Sequence, residues 1–95
     1  MELGLSFRSK EAEKVWNRQR SAKLPFNIQS KSRDKLAQID AAIRVEDLRF
    51  PPGNRLEVLG GDRAGQFSIR INQQWRICFR WEAGNAFDLE IIDYH

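Results

Sequence analysis

The 95-residue sequence predicts an α+β fold: a short N-terminal strand and a two-helix hairpin packed on a small antiparallel sheet of four to five strands. Three observations carry this. Apolar residues recur at every second position in three runs: Phe67, Ile69 and Ile71; Trp75, Ile77, Phe79 and Trp81; Phe87, Leu89 and Ile91. That period belongs to half-buried strands. Between Lys10 and Ile43 the apolar spacing becomes helical. Short polar turns at Asn72-Gln73-Gln74 and Glu82–Asn85 make the C-terminal strands antiparallel neighbours.

In chain order, Leu3, Leu5 and Phe7 alternate with Gly4, Ser6 and Arg8, which predicts an edge strand. Ser9 is the expected N-cap of a helix over Lys10–Arg20, with Glu11 and Glu13 in its positive first turn. Ala12, Val15 and Trp16 form its apolar stripe, and Lys10, Lys14 and Arg18 its outer face. Pro25 stops a continuous helix, and Asn27 is the expected cap of a second one. Its stripe is Ile28, Leu36, Ile39 and Ile43, and Asp40 and Arg44 stand at ion-pair spacing. Val45–Asn54, with Pro51, Pro52 and Gly53, reads as a loop. Arg55–Leu59 is expected to be a strand with Leu56 and Val58 inward and Arg55 and Glu57 outward, followed by a Gly60–Gly65 loop.

One domain, residues 1–95, is expected from the length. A hydrophobic fraction of 41% against 31% charged residues describes a globular chain. The single cysteine, Cys78, excludes an internal disulfide and fits a reducing cytoplasm. No apolar run approaches the ~20 residues of a membrane span, and no signal-peptide core is seen. Residues 1–55 hold 12 Lys/Arg against 7 Asp/Glu, and residues 56–95 hold 4 against 6. The helical half is therefore the basic half, suited to nucleic acid or an acidic partner. A solvated helix face is the alternative of equal weight.

No phosphate-binding glycine loop precedes a helix, and Cys78 and His95 have no further Cys or His with which to form a zinc set. Cys78, between Ile77 and Phe79, reads as structural, Trp75 and Trp81 as core or rim. The second face of the sheet carries Arg70, Arg76, Arg80, Asp88 and Glu90, a platform for an anion. Arg80 is expected to pair with Asp88 or Glu90 across strands. Arg70 and Arg76 could clamp a phosphate, with Arg63 approaching from its loop. His95 has the ordinary pKa of a proton-transfer group, Asp93 could orient it, and Tyr94 could donate a proton or stack on a base. Such an assembly could cut RNA without metal, through attack of the 2′-OH on the adjacent phosphate.

The run GDRAGQFSIRINQQWRICFRW and the terminal Asp93-Tyr94-His95 resemble HigB-type toxins of bacterial toxin–antitoxin pairs, in the wider RelE/ParE superfamily. The resemblance spans about Phe7 to His95. It implies a RelE-like fold and a ribosome-dependent endonuclease that cleaves mRNA with no metal or organic cofactor. It also implies a cognate HigA-like helix-turn-helix antitoxin as partner, together with ribosome and mRNA, and no membrane. Asp93, Tyr94, His95 and Arg76 match the family's catalytic positions. Two positions depart from it. Glu57 stands where some members have histidine, and serves as a base or as an anchor for arginine. Gly60 stands where many have lysine, so the phosphate would fall to Arg63, Arg70 and Arg76. Lys10, Lys14, Arg18, Arg33 and Lys35 are the expected ribosomal RNA contacts. The competing expectations are a non-enzymatic, ParE-like inhibitor of DNA gyrase and a degenerate member that only binds antitoxin and ribosome.

Overall fold

A computed structural model describes residues 5–94. The chain runs through helix α1 (Lys10–Trp16), helix α2 (Phe26–Ala41), two 3-10 turns, and strands β1 (Glu57–Val58), β2 (Gln66–Arg70), β3 (Trp75–Glu82) and β4 (Asn85–Asp93). The strands form one antiparallel meander in the order β1-β2-β3-β4. The α+β prediction holds. The expected N-terminal strand is reduced to one parallel bridge, Phe7 to Leu89, closed by hydrogen bonds between Arg8 N and Leu89 O and between Leu89 N and Ser6 O. Leu3 lies outside the described residues.

The core lies between the helix pair and one face of the sheet. Ala12, Val15, Ile28, Leu36 and Ile39 meet Ile69, Ile71, Ile77, Phe79, Leu89 and Ile91, all buried. Each such large side chain contributes about 1.5–3 kcal/mol on leaving water. Ser9 caps α1 as expected, accepting from the amide of Ala12 at 3.1 Å. The helix stops at Trp16, short of Arg20, and Arg18 turns the chain with a left-handed φ of 62°. Gln29 then pins the link between the helices by donating to the carbonyls of Ser21 and Leu24.

The second helix begins after Pro25, with no side-chain cap from Asn27. It ends at Ala41, so Ile43 leaves the stripe and is 80% exposed. Arg44 is likewise beyond the helix, and its expected pairing with Asp40 is replaced by a turn. There the Asp47 carboxylate accepts from the amides of Ile43 and Arg44 at 3.0 Å.

Strand β1 is only two residues long, and Val58 points to solvent, contrary to its expected inward place. Leu56 does pack against the core. The β2–β3 turn is held by the Asn72 carboxamide, which accepts from the amides of Gln74 and Trp75 at 2.8 Å. Ala83 and Gly84 both have positive φ, the condition of a two-residue hairpin turn matched to strand twist. The alternation in β4 breaks at a bulge where Asp88 has φ 55° and the register shifts between Cys78 and Arg80. Ala86 therefore enters the core, and Phe87, expected inward, pairs with Arg80 on the other face.

Candidate active site

The sheet face turned away from the helices is not an open platform. Ser68 and Cys78 are fully buried, and Gln66 and Arg76 nearly so. Two pieces of chain account for this: the segment entering β1 and the loop leaving it. Their register places Glu57 opposite Ser68, Ser68 opposite Cys78, and Cys78 opposite Glu90.

Arg76 is the centre of the arrangement. Its Nε donates to Ser68 Oγ at 2.8 Å, and its Nη2 donates to the carbonyl of Arg55 at 2.6 Å. Nη2 also lies 3.0 Å from the Glu57 carboxylate. The Tyr94 ring covers the guanidinium, 5.3 Å from its centroid. One terminal nitrogen, Nη1, makes no hydrogen bond among the described residues. The guanidinium is thus fixed through Nε and Nη2, which suits a preorganised donor. Arg70 stands directly opposite Arg76 across the β2–β3 ladder. Both line a cleft of about 190 Å³ with Arg55, Asn72, Gln73 and Tyr94. Two guanidiniums at one cleft can hold a phosphate or carboxylate through paired, charge-assisted hydrogen bonds.

Four of the expected residues therefore meet here: Arg76, Arg70, Glu57 and Tyr94. Asp93 is the last residue of β4 and accepts from the Gln74 side chain at 3.0 Å. His95 lies outside the described residues. Arg63 is placed differently. Its Nη1 donates to Gln66 Oε1 at 3.1 Å and to Glu90 at 3.3 Å. The bond to Glu90 raises its pKa. Arg8 pairs with the same carboxylate at 3.5 Å. Arg63 is committed to Glu90, and the expected pairing of Glu90 with Arg80 gives way to it.

Cys78 sits between these two clusters. Burial pushes its thiol pKa up, while Arg63 and Arg76 pull it down and Glu90 and Glu57 push it further up. A buried thiol held protonated is no nucleophile, in line with the structural role expected of it.

The helical cations divide. Lys10 is exposed and Lys14 half-buried on α1. Arg18 and Arg33 line a separate cleft of about 270 Å³ with Arg20 and Phe26, where Arg33 lies 5.4 Å over the Trp16 ring. Lys35, expected to face RNA, is instead buried, and its amine donates to Asn54 Oδ1 at 2.6 Å. Desolvation lowers its pKa, and Lys31 lowers it further. Asn54 in turn donates to Gln38 and to the carbonyls of Leu48 and Phe50, so Lys35 serves the loop ahead of β1.

Sequence reasoning missed Arg55, Ser68, Asn72 and Gln73. Asn72 was legible as a turn residue. Arg55 was not, because its contribution is a carbonyl presented from a left-handed residue (φ 46°).

The match to a family model and to two relatives places this chain among the RelE-like toxins. A chain of a YoeB–YefM complex from Staphylococcus aureus superposes with a TM-score of 0.60 over 100% of this chain and 99% of its own, at 21% identity, a likeness of fold. The HigB-like toxin family, described as the RelE-like toxin of the type II toxin–antitoxin system HigB, matches residues 5–95. Toxin HigB-1 of Vibrio cholerae is 39% identical over 87 residues, covering 90% of this chain and 92% of that protein. Endoribonuclease HigB of Proteus vulgaris is 31% identical over 90 residues, covering 95% and 97%. The chain belongs to the HigB-like toxin family of type II toxin–antitoxin systems.

Proposed function

We propose that the chain is an endoribonuclease that cleaves mRNA on the ribosome, in the cytoplasm, without a metal. The observation that carries this is the nearly buried Arg76, fixed by Ser68, Arg55 and Glu57 and lining one cleft with Arg70. The relative named Endoribonuclease HigB supports the reaction class. The scissile phosphate sits between Arg70 and Arg76. The 2′-OH gives up its proton and attacks phosphorus, the two guanidiniums take up the charge of the phosphorane, and the P–O5′ bond breaks to leave a 2′,3′-cyclic phosphate and a 5′-oxygen that takes a proton. His95 moves that proton. Asp93 orients it, Tyr94 keeps the Arg76 guanidinium flat against its ring, and Glu57 anchors the same guanidinium. The basic residues Lys10, Lys14, Arg18 and Arg33 meet ribosomal RNA. A HigA-like helix-turn-helix antitoxin silences the toxin. Among the described residues no helix is long and apolar enough to cross a membrane.

A binding-only toxin is the second reading, favoured by Gly60 and by the commitment of Arg63 to Glu90. Primer extension on mRNA from cells expressing the chain decides. Cuts in phase with codons establish the nuclease, growth arrest with intact mRNA favours binding alone, and gyrase-dependent DNA breaks favour the ParE-like activity.

A further inference from the structure

The cleft beneath Arg76 does not end at the β2–β3 turn. Arg70, Asn72 and Gln73 line it, and the same three residues line a second cleft of about 330 Å³. Its remaining walls include Lys31 and Lys35 of α2 and Gly53. Arg70 thus belongs to both clefts. Among the described residues no carboxylate lines either one.

We propose that the RNA strand continues past Arg76, over the β2–β3 turn, and sets a neighbouring phosphate between Arg70 and Lys31. This rests on the RNA-cutting activity proposed above. The cations of the second cleft are not equivalent. Lys35 is buried and its amine is engaged with Asn54. Lys31, one helical turn earlier, is exposed and forms none of the ion pairs among the described residues. Among the described residues, Lys31 is therefore the lysine of this cleft left to join Arg70 on a ligand. Arg55, Arg70, Arg76, Lys31 and Lys35 crowd five positive groups along one path, with Glu57 as a carboxylate paired into it. Such crowding opposes folding, and a chain of phosphates relieves it at successive points. A positively charged groove tracking a backbone is how single strands are held without sequence preference. The cations Arg55, Arg70, Arg76, Lys31 and Lys35 along the two clefts suit an RNA backbone better than an uncharged peptide.

Gly53 supplies a probe of the path. A side chain added there meets nothing within 4 Å, and its φ lies outside the left-handed region. A substitution at Gly53 therefore enters the cleft with no clash at its Cβ. The test uses the full chain and a labelled single-stranded hexaribonucleotide, made uncleavable by 2′-O-methyl groups, titrated across a range of salt. Lys31→Ala should reduce the slope of log affinity against log salt by about 0.7, the loss of one phosphate contact on a single strand. Gly53→Lys should tighten binding and Gly53→Glu weaken it, and mRNA cleavage on ribosomes should follow the same order.

Equal slopes for wild type and Lys31→Ala, with both Gly53 variants cutting as wild type does, would overturn the proposal. So would a Lys31→Ala defect confined to vacant ribosomes, which would assign the phosphate to ribosomal RNA. A Gly53→Glu chain that cuts normally but escapes neutralisation by its antitoxin would assign the cleft to a protein. A wild-type chain that cuts no mRNA defeats the nuclease reading itself, an outcome distinct from each of these.

Discussion

Arg70 and Arg76 are direct partners across the β2–β3 ladder, two like charges where a sheet ordinarily places opposite ones. Glu57, 3.0 Å from Arg76, offsets part of that repulsion, and the Ser68 hydroxyl and Arg55 carbonyl fix what remains. Arrangements that cost stability and point into a cleft are expected where a ligand supplies the missing charge.

Arg76 should therefore matter to both folding and cutting. Arg76→Ala leaves a buried Ser68 hydroxyl without its partner and should destabilise the chain by about 1–3 kcal/mol. Arg76→Lys restores a charge but not the fork that reaches Ser68, Arg55 and Glu57 together, so cleavage should stay low. Glu57→Gln keeps the fold, since a half-exposed ion pair is worth at most about 1 kcal/mol. It should still lower cleavage by letting the guanidinium shift. Thermal melts beside primer-extension yields separate the two effects. Full cleavage by Glu57→Gln would remove Glu57 from the anchor role.

The Lys35–Asn54 contact makes a prediction about pH. Lys35 has its pKa lowered by desolvation first and Lys31 second. At pH values below the folded pKa, both folded and unfolded chains hold the proton and this group adds no slope. Between the folded value and the unfolded value near ~10.4, the unfolded chain binds more protons, so stability rises with pH. Lys35→Met should lack that rise, seen as a stability difference between wild type and variant that changes in the alkaline range only. A constant difference from pH 7 to 11 would contradict it. Asn54→Ala strips partners from the Lys35 amine and two carbonyls and should cost roughly 3 kcal/mol.

These residues show how far the sequence could be read. The period of two located β2, β3 and most of β4 because burial on one face acts on every second residue. It failed at Phe87, where a bulge around Asp88 resets the faces, and a bulge leaves no mark on hydrophobicity. It also failed at Val58, whose strand is too short to be held to one face by its neighbours. The arginine pair was legible as residue type and spacing. The burial of Arg76 was not, because its covering groups are the Arg55 carbonyl and the Tyr94 ring, contributed from segments distant in the chain. Lys35 was misplaced for a related reason: on the helix it looks like any solvated cation, and its partner Asn54 is 19 residues away.

The terminal residues carry a simpler expectation. Tyr94 lies over Arg76 at the cleft, and His95 follows it in the sequence. His95→Ala should lower cleavage by ~10²–10⁴-fold, the usual contribution of a proton-transfer group. The melting temperature should hold, since terminal residues contribute little. Undiminished growth arrest by His95→Ala would transfer the proton role to another group.

The last expectation concerns Gly60 and Arg63. The loop between β1 and β2 was expected to swing Arg63 inward and replace the lysine that many relatives carry at Gly60. Arg63 instead donates to Gln66 and Glu90, on the far side of Cys78 from the Arg70–Arg76 cleft. Arg63→Ala should therefore lower cleavage less than Arg70→Ala, with its effect seen mainly in stability. Gly60 has an extended backbone (φ −123°), and nothing within 4 Å would meet an added side chain. Gly60→Lys thus fits without strain and brings a cation near the start of the loop. If a cation there helps hold the phosphate, cleavage and toxicity should rise, toward the ~10²–10³-fold that one preorganised donor supplies. Glu90→Gln, which frees Arg63 without adding charge at Gly60, should give a smaller rise. A folded Gly60→Lys chain that leaves mRNA as intact as wild type does would show that the missing lysine limits nothing, and would favour the binding-only toxin.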